Sequence, residues 1–108
     1  MEHSNSLPTL SPTKRLRHLL TNGNLWLYIL SLSSSGSVYA YALDKEIEKK
    51  FSFRPNKIMV YVVLYKLENE GLLVSEFNQR RKYYTITPKG LEALKGAREY
   101  FRMLSENL

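Results

Sequence analysis

The chain has 108 residues, with sixteen Lys+Arg against ten Asp+Glu for a net charge of +6. That length bounds one domain with a modest core, and the positive balance suits a polyanionic partner. The absence of cysteine excludes disulfides and thiolate sites, and His3 and His18 lack ligand-spaced neighbours, so no metal or other cofactor is expected.

In chain order, residues 1–10 read as a polar tail. Ser11-Pro12 then supplies an N-cap and a first-turn proline for a short helix with Leu16, Leu19 and Leu20 on one face. Asn22-Gly23 is expected to stop it in the left-handed conformation, and Asn24 to cap the next helix, Leu25 to about Ser33. That helix is apolar nearly all round, as expected for the centre of a domain. Its run Leu25–Leu30 is the longest apolar one, far below the ~20 residues of a membrane span. Nothing reads as a signal peptide, so a cytoplasmic protein with no membrane partner is expected.

After the loop Ser33–Ser37, the spacing of Tyr39, Ala40, Leu43, Ile47 and Phe51 predicts an amphipathic helix over 39–51. Pro55 opens a further helix to about Glu70, with Val60, Val63, Leu64 and Leu67 as its core stripe and Gly71 as its stop. Two strands follow, roughly 73–77 and 82–86, around the turn Asn78-Gln79-Arg80-Arg81-Lys82. Thr87-Pro88 then starts a last helix to about Leu104 or beyond.

The charge is unevenly placed. Residues 1–24 carry +2 and residues 76–89 carry +3, whereas 44–50 and 92–106 sum to zero. A helix feeding a basic hairpin is how a winged helix-turn-helix meets DNA, with cations neutralising phosphates. The outward residues of the 55–70 helix include Asn56, Lys57, Ile58, Tyr61, Val62, Tyr65 and Lys66, too apolar a set for a solvated face. In a major groove, Asn56 and Lys57 reach bases or phosphates, Tyr61 reaches a phosphate, and Ile58 or Val62 meets a thymine methyl. The alternative packs Ile58, Tyr61 and Tyr65 against the neighbouring helix and the wing.

Three separated segments carry a family resemblance: Val38-Tyr39-Ala40-Tyr41-Ala42-Leu43, residues 61–72 (YVVLYKLENEGL) and residues 80–90 (RRKYYTITPKG). In this order and spacing they resemble the PadR family of winged-helix transcriptional regulators over about residues 25–104. The chain departs from that family's pattern at Ala40 (glycine there), Ala42 (often glutamate), Val62 (proline) and Ile58 (a small residue). The resemblance implies a homodimeric DNA-binding regulator, commonly a repressor, sometimes responsive to phenolic or other hydrophobic small molecules.

The expected fold class is therefore mainly α with a small β-hairpin (α+β). It is a winged helix-turn-helix over 11–87, with an additional N-terminal helix and a C-terminal dimerisation helix over 88–108. Double-stranded DNA is the expected partner, through Tyr39, Tyr41, Asn56, Lys57, Tyr61, Lys66, Arg80, Arg81 and Lys82. Leu94, Ala97, Phe101, Leu104 and Leu108 recur at heptad-like spacing and are expected to form the homodimer seam, or else to pack on the Leu16-Leu19-Leu20 helix. Trp26, Tyr28, Tyr100 and Phe101 are candidate walls of a pocket for an aromatic effector, or ordinary core and interface residues. A winged-helix module that binds protein instead of DNA is the competing reading. No carboxylate pair, nucleophile–histidine set or glycine-rich phosphate loop points to an enzyme.

Overall fold

The computed structural model describes residues 7–108, so residues 1–6 of the expected tail lie outside the described residues. Helix α1 spans Ser11–Leu20, with Leu10 as its N-cap and Ser11 already inside the first turn. Thr13, not Ser11, serves the cap: its hydroxyl accepts from the Leu10 N–H at 3.1 Å. Gly23 does not stop α1 by a left-handed turn, because only Gly36 and Gly71 among the glycines have positive φ. The Thr21 hydroxyl instead donates to the Arg17 carbonyl at 2.6 Å, and Asn22–Asn24 forms a single 3-10 turn. Nor does the Asn24 side chain cap the next helix. It donates to the Leu19 carbonyl and accepts from the Trp26 indole at 3.1 Å, locking the turn to both flanks.

Helix α2, Leu25–Ser33, is the central pillar that its apolar composition implies. Leu25, Ile29, Leu30 and Ser33 are buried, and it packs on the helices and the strand that follow. The helix expected from Tyr39 begins four residues later. Val38–Tyr39 is a short strand, β1, followed by a 3-10 turn at Ala40–Ala42 and helix α3 at Leu43–Phe51. Two residues of strand leave no periodic signature; β1 exists because Val38 and Tyr39 pair with Tyr84 and Tyr83 across the fold.

Helix α4, Lys57–Asn69, starts two residues after Pro55. Asn56 is its N-cap, with Oδ1 accepting from the Ile58 and Met59 N–H groups at 2.8 and 3.2 Å. Val60, Leu64 and Leu67 are buried and Val63 half-buried, as the stripe predicts. Gly71, at φ +81°, closes α4 by a paired bond pattern: Leu72 N–H donates to the Leu67 carbonyl and Gly71 N–H to that of Glu68.

Strands β2, Leu73–Asn78, and β3, Arg81–Ile86, form the hairpin of an antiparallel sheet in the order β1-β3-β2. The turn is tighter than the five residues expected. Only Gln79 and Arg80 lie outside the ladder, at φ 53° and 72°. Positive φ at both positions matches the twist of two-residue hairpins, a conformation that glycine and asparagine adopt most cheaply. Arg81 and Lys82 are therefore strand residues whose alternation sends them to opposite faces.

Helix α5, Pro88–Asn107, is stitched to the end of α4. The Thr87 hydroxyl accepts from Gly90 N–H and donates to the Gly71 carbonyl, and Lys89 Nζ donates to the Glu70 carbonyl. Beyond Leu94 no residue of α5 is buried, and none of α1 is. The chain is accordingly elongated, 46 × 25 × 25 Å. Among the described residues, no helix is long and apolar enough to cross a membrane.

Gly90 sits where a Cβ would lie 2.3 Å from the Leu72 carbonyl oxygen and 2.7 Å from the Ile86 side chain. Gly90→Ala should therefore destabilise the fold by about 1–3 kcal/mol or more, read as a lowered urea midpoint.

Candidate nucleic-acid interface

Helices α3 and α4 form the helix-turn-helix, and a buried acid sets their relation. The Asp44 carboxylate, 4% exposed, accepts from Arg54 at 3.2 and 3.3 Å and from Lys57 Nζ at 3.2 Å. Burial pushes its pKa up, but the hydrogen bonds from Lys57 and Arg54 and the Lys57 charge outweigh that and hold it below the ordinary value of 3.8. Lys57 Nζ also donates to the Tyr41 carbonyl at 2.7 Å and lies 3.9 Å from the centre of the Tyr41 ring. The first residue of α4 is thus anchored to α3 and its approach, with a third of its side chain still exposed. Asn56 likewise spends its side-chain oxygen on the helix cap. Both were expected at the bases or phosphates; the structure gives each an internal partner, while among the described residues the Asn56 amide N–H groups carry no such bond and the Lys57 side chain stays partly exposed.

Tyr41 begins a ladder of aromatic rings toward the wing. The centroids of Tyr41 and Tyr39 are 6.1 Å apart, those of Tyr39 and Tyr83 are 5.4 Å apart, and the Arg81 guanidinium lies 5.3 Å from the Tyr39 ring. Sheet pairing puts Tyr39 opposite Tyr83. The start of α4 and the basic hairpin are therefore parts of one continuous surface. Tyr83 was missed as a member of it, because only the β1 pairing reveals that it shares a face with Tyr39. Arg80 stands exposed at the turn. Lys82 faces the other side, near Tyr84 and Phe77, at 3.9 Å from Glu68, which also accepts from Ser75 at 2.6 Å.

Helix α4 presents Ile58, Tyr61, Val62 and Tyr65 to solvent, with Ile58 72% and Tyr65 69% exposed. They do not pack away against the neighbouring helix or wing. Lys66 lies off this face, lining a groove with Met59, Val63 and Trp26 against α2.

The four aromatic pocket candidates do not converge on one cavity. Tyr28 stacks edge-on to Phe51 and Phe53 at 4.8 and 4.9 Å and donates to the Leu20 carbonyl, and burial raises its pKa. It lines a groove of about 210 Å³ with Leu94 and Phe101. Trp26 and Tyr100 line a second, of about 300 Å³, and Phe101 borders both.

A helix-turn-helix flanked by a three-stranded sheet whose hairpin extends beside its second helix defines the winged-helix class of DNA-binding regulators. The chain belongs to the PadR-like family of transcriptional regulators, whose family model matches residues 29–96. That is a family of regulators, not of enzymes. Similar solved structures include a transcriptional regulator from Clostridium thermocellum, at 27% identity and TM-score 0.73 over 92% of this chain and 93% of that one. A PadR-like regulator from Bacillus cereus is 31% identical, with TM-score 0.70 over 84% of this chain and 91% of that one. F93 from STIV, a winged-helix DNA-binding protein, shares the fold at 19% identity and TM-score 0.67, over 76% of this chain and 90% of that one. No curated protein matches.

Because its folded pKa lies below the ordinary value, Asp44 contributes stability that is present above 3.8 and is lost as pH falls through the lower folded value. Asp44→Asn should cost about 1–3 kcal/mol at neutral pH and flatten the loss of stability through the carboxylate range, measured by urea unfolding against pH.

Proposed function

We propose that the protein is a homodimeric transcriptional repressor that occupies a near-palindromic operator on double-stranded DNA. The observation that carries this reading is the joining of the α4 face to the basic wing by the Tyr41–Tyr39–Tyr83 ladder. Arg80 and Arg81 contact phosphates, Tyr39, Tyr41 and Tyr61 donate hydroxyls to the backbone, and α4 lies in the major groove. Lys82 and Lys66 flank the duplex and add to the long-range field. A duplex partner of this kind implies a cytoplasmic protein.

The dimer rests on α5. Leu94 is buried in its own domain, whereas Phe101 and Leu108 are exposed and Ala97 and Leu104 half-exposed; the flanking Tyr100 and Met103 are exposed as well. The alternative partner on the same chain, α1, meets α5 through Leu20, which lines both grooves beside Phe101, but it leaves Leu16 and Leu19 exposed too. A second copy covers both helices and sets two α4 helices about one DNA turn, ~34 Å, apart. Each groove beside Phe101 is small for a ligand on its own. Closed by the partner, the two together take an apolar planar effector. The competing protein-binding module draws on the exposure of Ile58, Val62 and Tyr65; the cationic wing beside them favours DNA.

Fluorescence anisotropy across a salt series, with a duplex from upstream of the protein's own gene and a scrambled control, tests the DNA reading. Preference for the native duplex with steep salt dependence supports it, and no binding at low salt sinks it. In Arg80→Ala/Arg81→Ala the slope of log K against log salt should shrink by about 0.9 for each phosphate no longer neutralised, for all sequences alike. Phe101→Glu should shift the species seen by sedimentation equilibrium from dimer to monomer; an unchanged dimer would remove α5 from the interface.

A further inference from the structure

We propose that this helix reads its operator chiefly through thymine methyl groups, so that its DNA target is defined by where those methyls stand in the major groove. The inference rests on the DNA-binding reading above and names what α4 recognises. Base edges are distinguished by hydrogen-bonding side chains, chiefly Arg, Lys, Asn and Gln, or by apolar contact with the thymine methyl. At the start of α4 the first kind of reader is already partly engaged. Asn56 has its acceptor tied to two backbone N–H groups of the helix, and Lys57 is held by the Asp44 carboxylate and the Tyr41 carbonyl. Lys66 lies away, toward α2, and Glu68 is bonded to Ser75.

What remains outward in the leading turns is Ile58 and Val62, one turn apart, 72% and 39% exposed, with Tyr61 and Tyr65 beside them. Two branched aliphatic side chains stacked along one helix face match a methyl group in shape and polarity and offer nothing to an exocyclic amine. The charge needed to bring a polyanion to so apolar a face stands next to it, on Arg80 and Arg81, joined to α4 through the tyrosine ladder. This argues for DNA as the occupant of the face: the cations supply affinity without sequence, and the aliphatic pair supplies sequence without charge.

The test uses a duplex recovered by selecting the full-length protein on a randomised library, resynthesised with thymidine or with deoxyuridine, which lacks only the methyl. The expected result is a loss of about fourfold in affinity for each contacted methyl removed, as follows from withdrawing one buried methyl-sized group. Deoxyuridine in the flanks should change nothing. Ile58→Ala and Val62→Ala, at exposed positions that leave the core intact, should bind the two duplexes with a smaller difference than the parent protein. Equal binding of the thymidine and deoxyuridine duplexes by the parent, with a clear preference over unselected DNA, would overturn the inference and leave the DNA reading standing. Failure to enrich any duplex at low salt would overturn both.

Discussion

The geometry of the helix-turn-helix depends on one buried carboxylate. Asp44 lies in the first turn of α3 at 4% exposure, and a charge so placed persists only where cations compensate it. Arg54, in the connection, and Lys57, at the head of α4, do so within 3.3 Å. The same contacts fasten the two helices at their facing ends and tether a partly exposed lysine there. The group that links α4 to α3 thus also engages the lysine beside the exposed Ile58, Tyr61, Val62 and Tyr65.

The wing carries the complementary chemistry at a local conformational cost. Gln79 and Arg80 both occupy left-handed backbone, without glycine to ease it, which costs on the order of 1 kcal/mol or more each. A two-residue turn is what the hairpin register demands, with Leu73 opposite Ile86 and Asn78 opposite Arg81, and β1 on the far side of β3 holds that register. The strain is offset by the β2–β3 pairing, and the result is an exposed arginine at the tip of a two-residue turn.

The junction of α4, β2 and α5 is the third fixed point. Leu72 serves all three elements at once: its N–H closes α4, its carbonyl accepts from the Thr87 N–H, and its oxygen lies where any Cβ on Gly90 would clash. The exposed half of α5 is thereby rigidly continuous with the C-terminal end of α4. The bonds from Thr87 to the Gly71 carbonyl and from Lys89 to the Glu70 carbonyl reinforce the same junction, so whatever covers α5 is mechanically connected to α4.

Much of the architecture was legible in the sequence. The apolar run of α2, the stripe Val60-Leu64-Leu67, the stop at Gly71, the helix start at Thr87-Pro88 and the basic hairpin are local patterns with periods or cap residues that physics ties to one structure. Tertiary structure decided the rest. The strand β1 has two residues and no period of its own, and exists only through its pairing with Tyr83 and Tyr84. Asn56 and Lys57 look like free polar readers along the chain; in space a helix cap engages the first, and a carboxylate thirteen residues earlier engages the second. Local sequence specifies which face of an element is apolar, but which polar groups remain unpaired depends on contacts between elements distant in the chain.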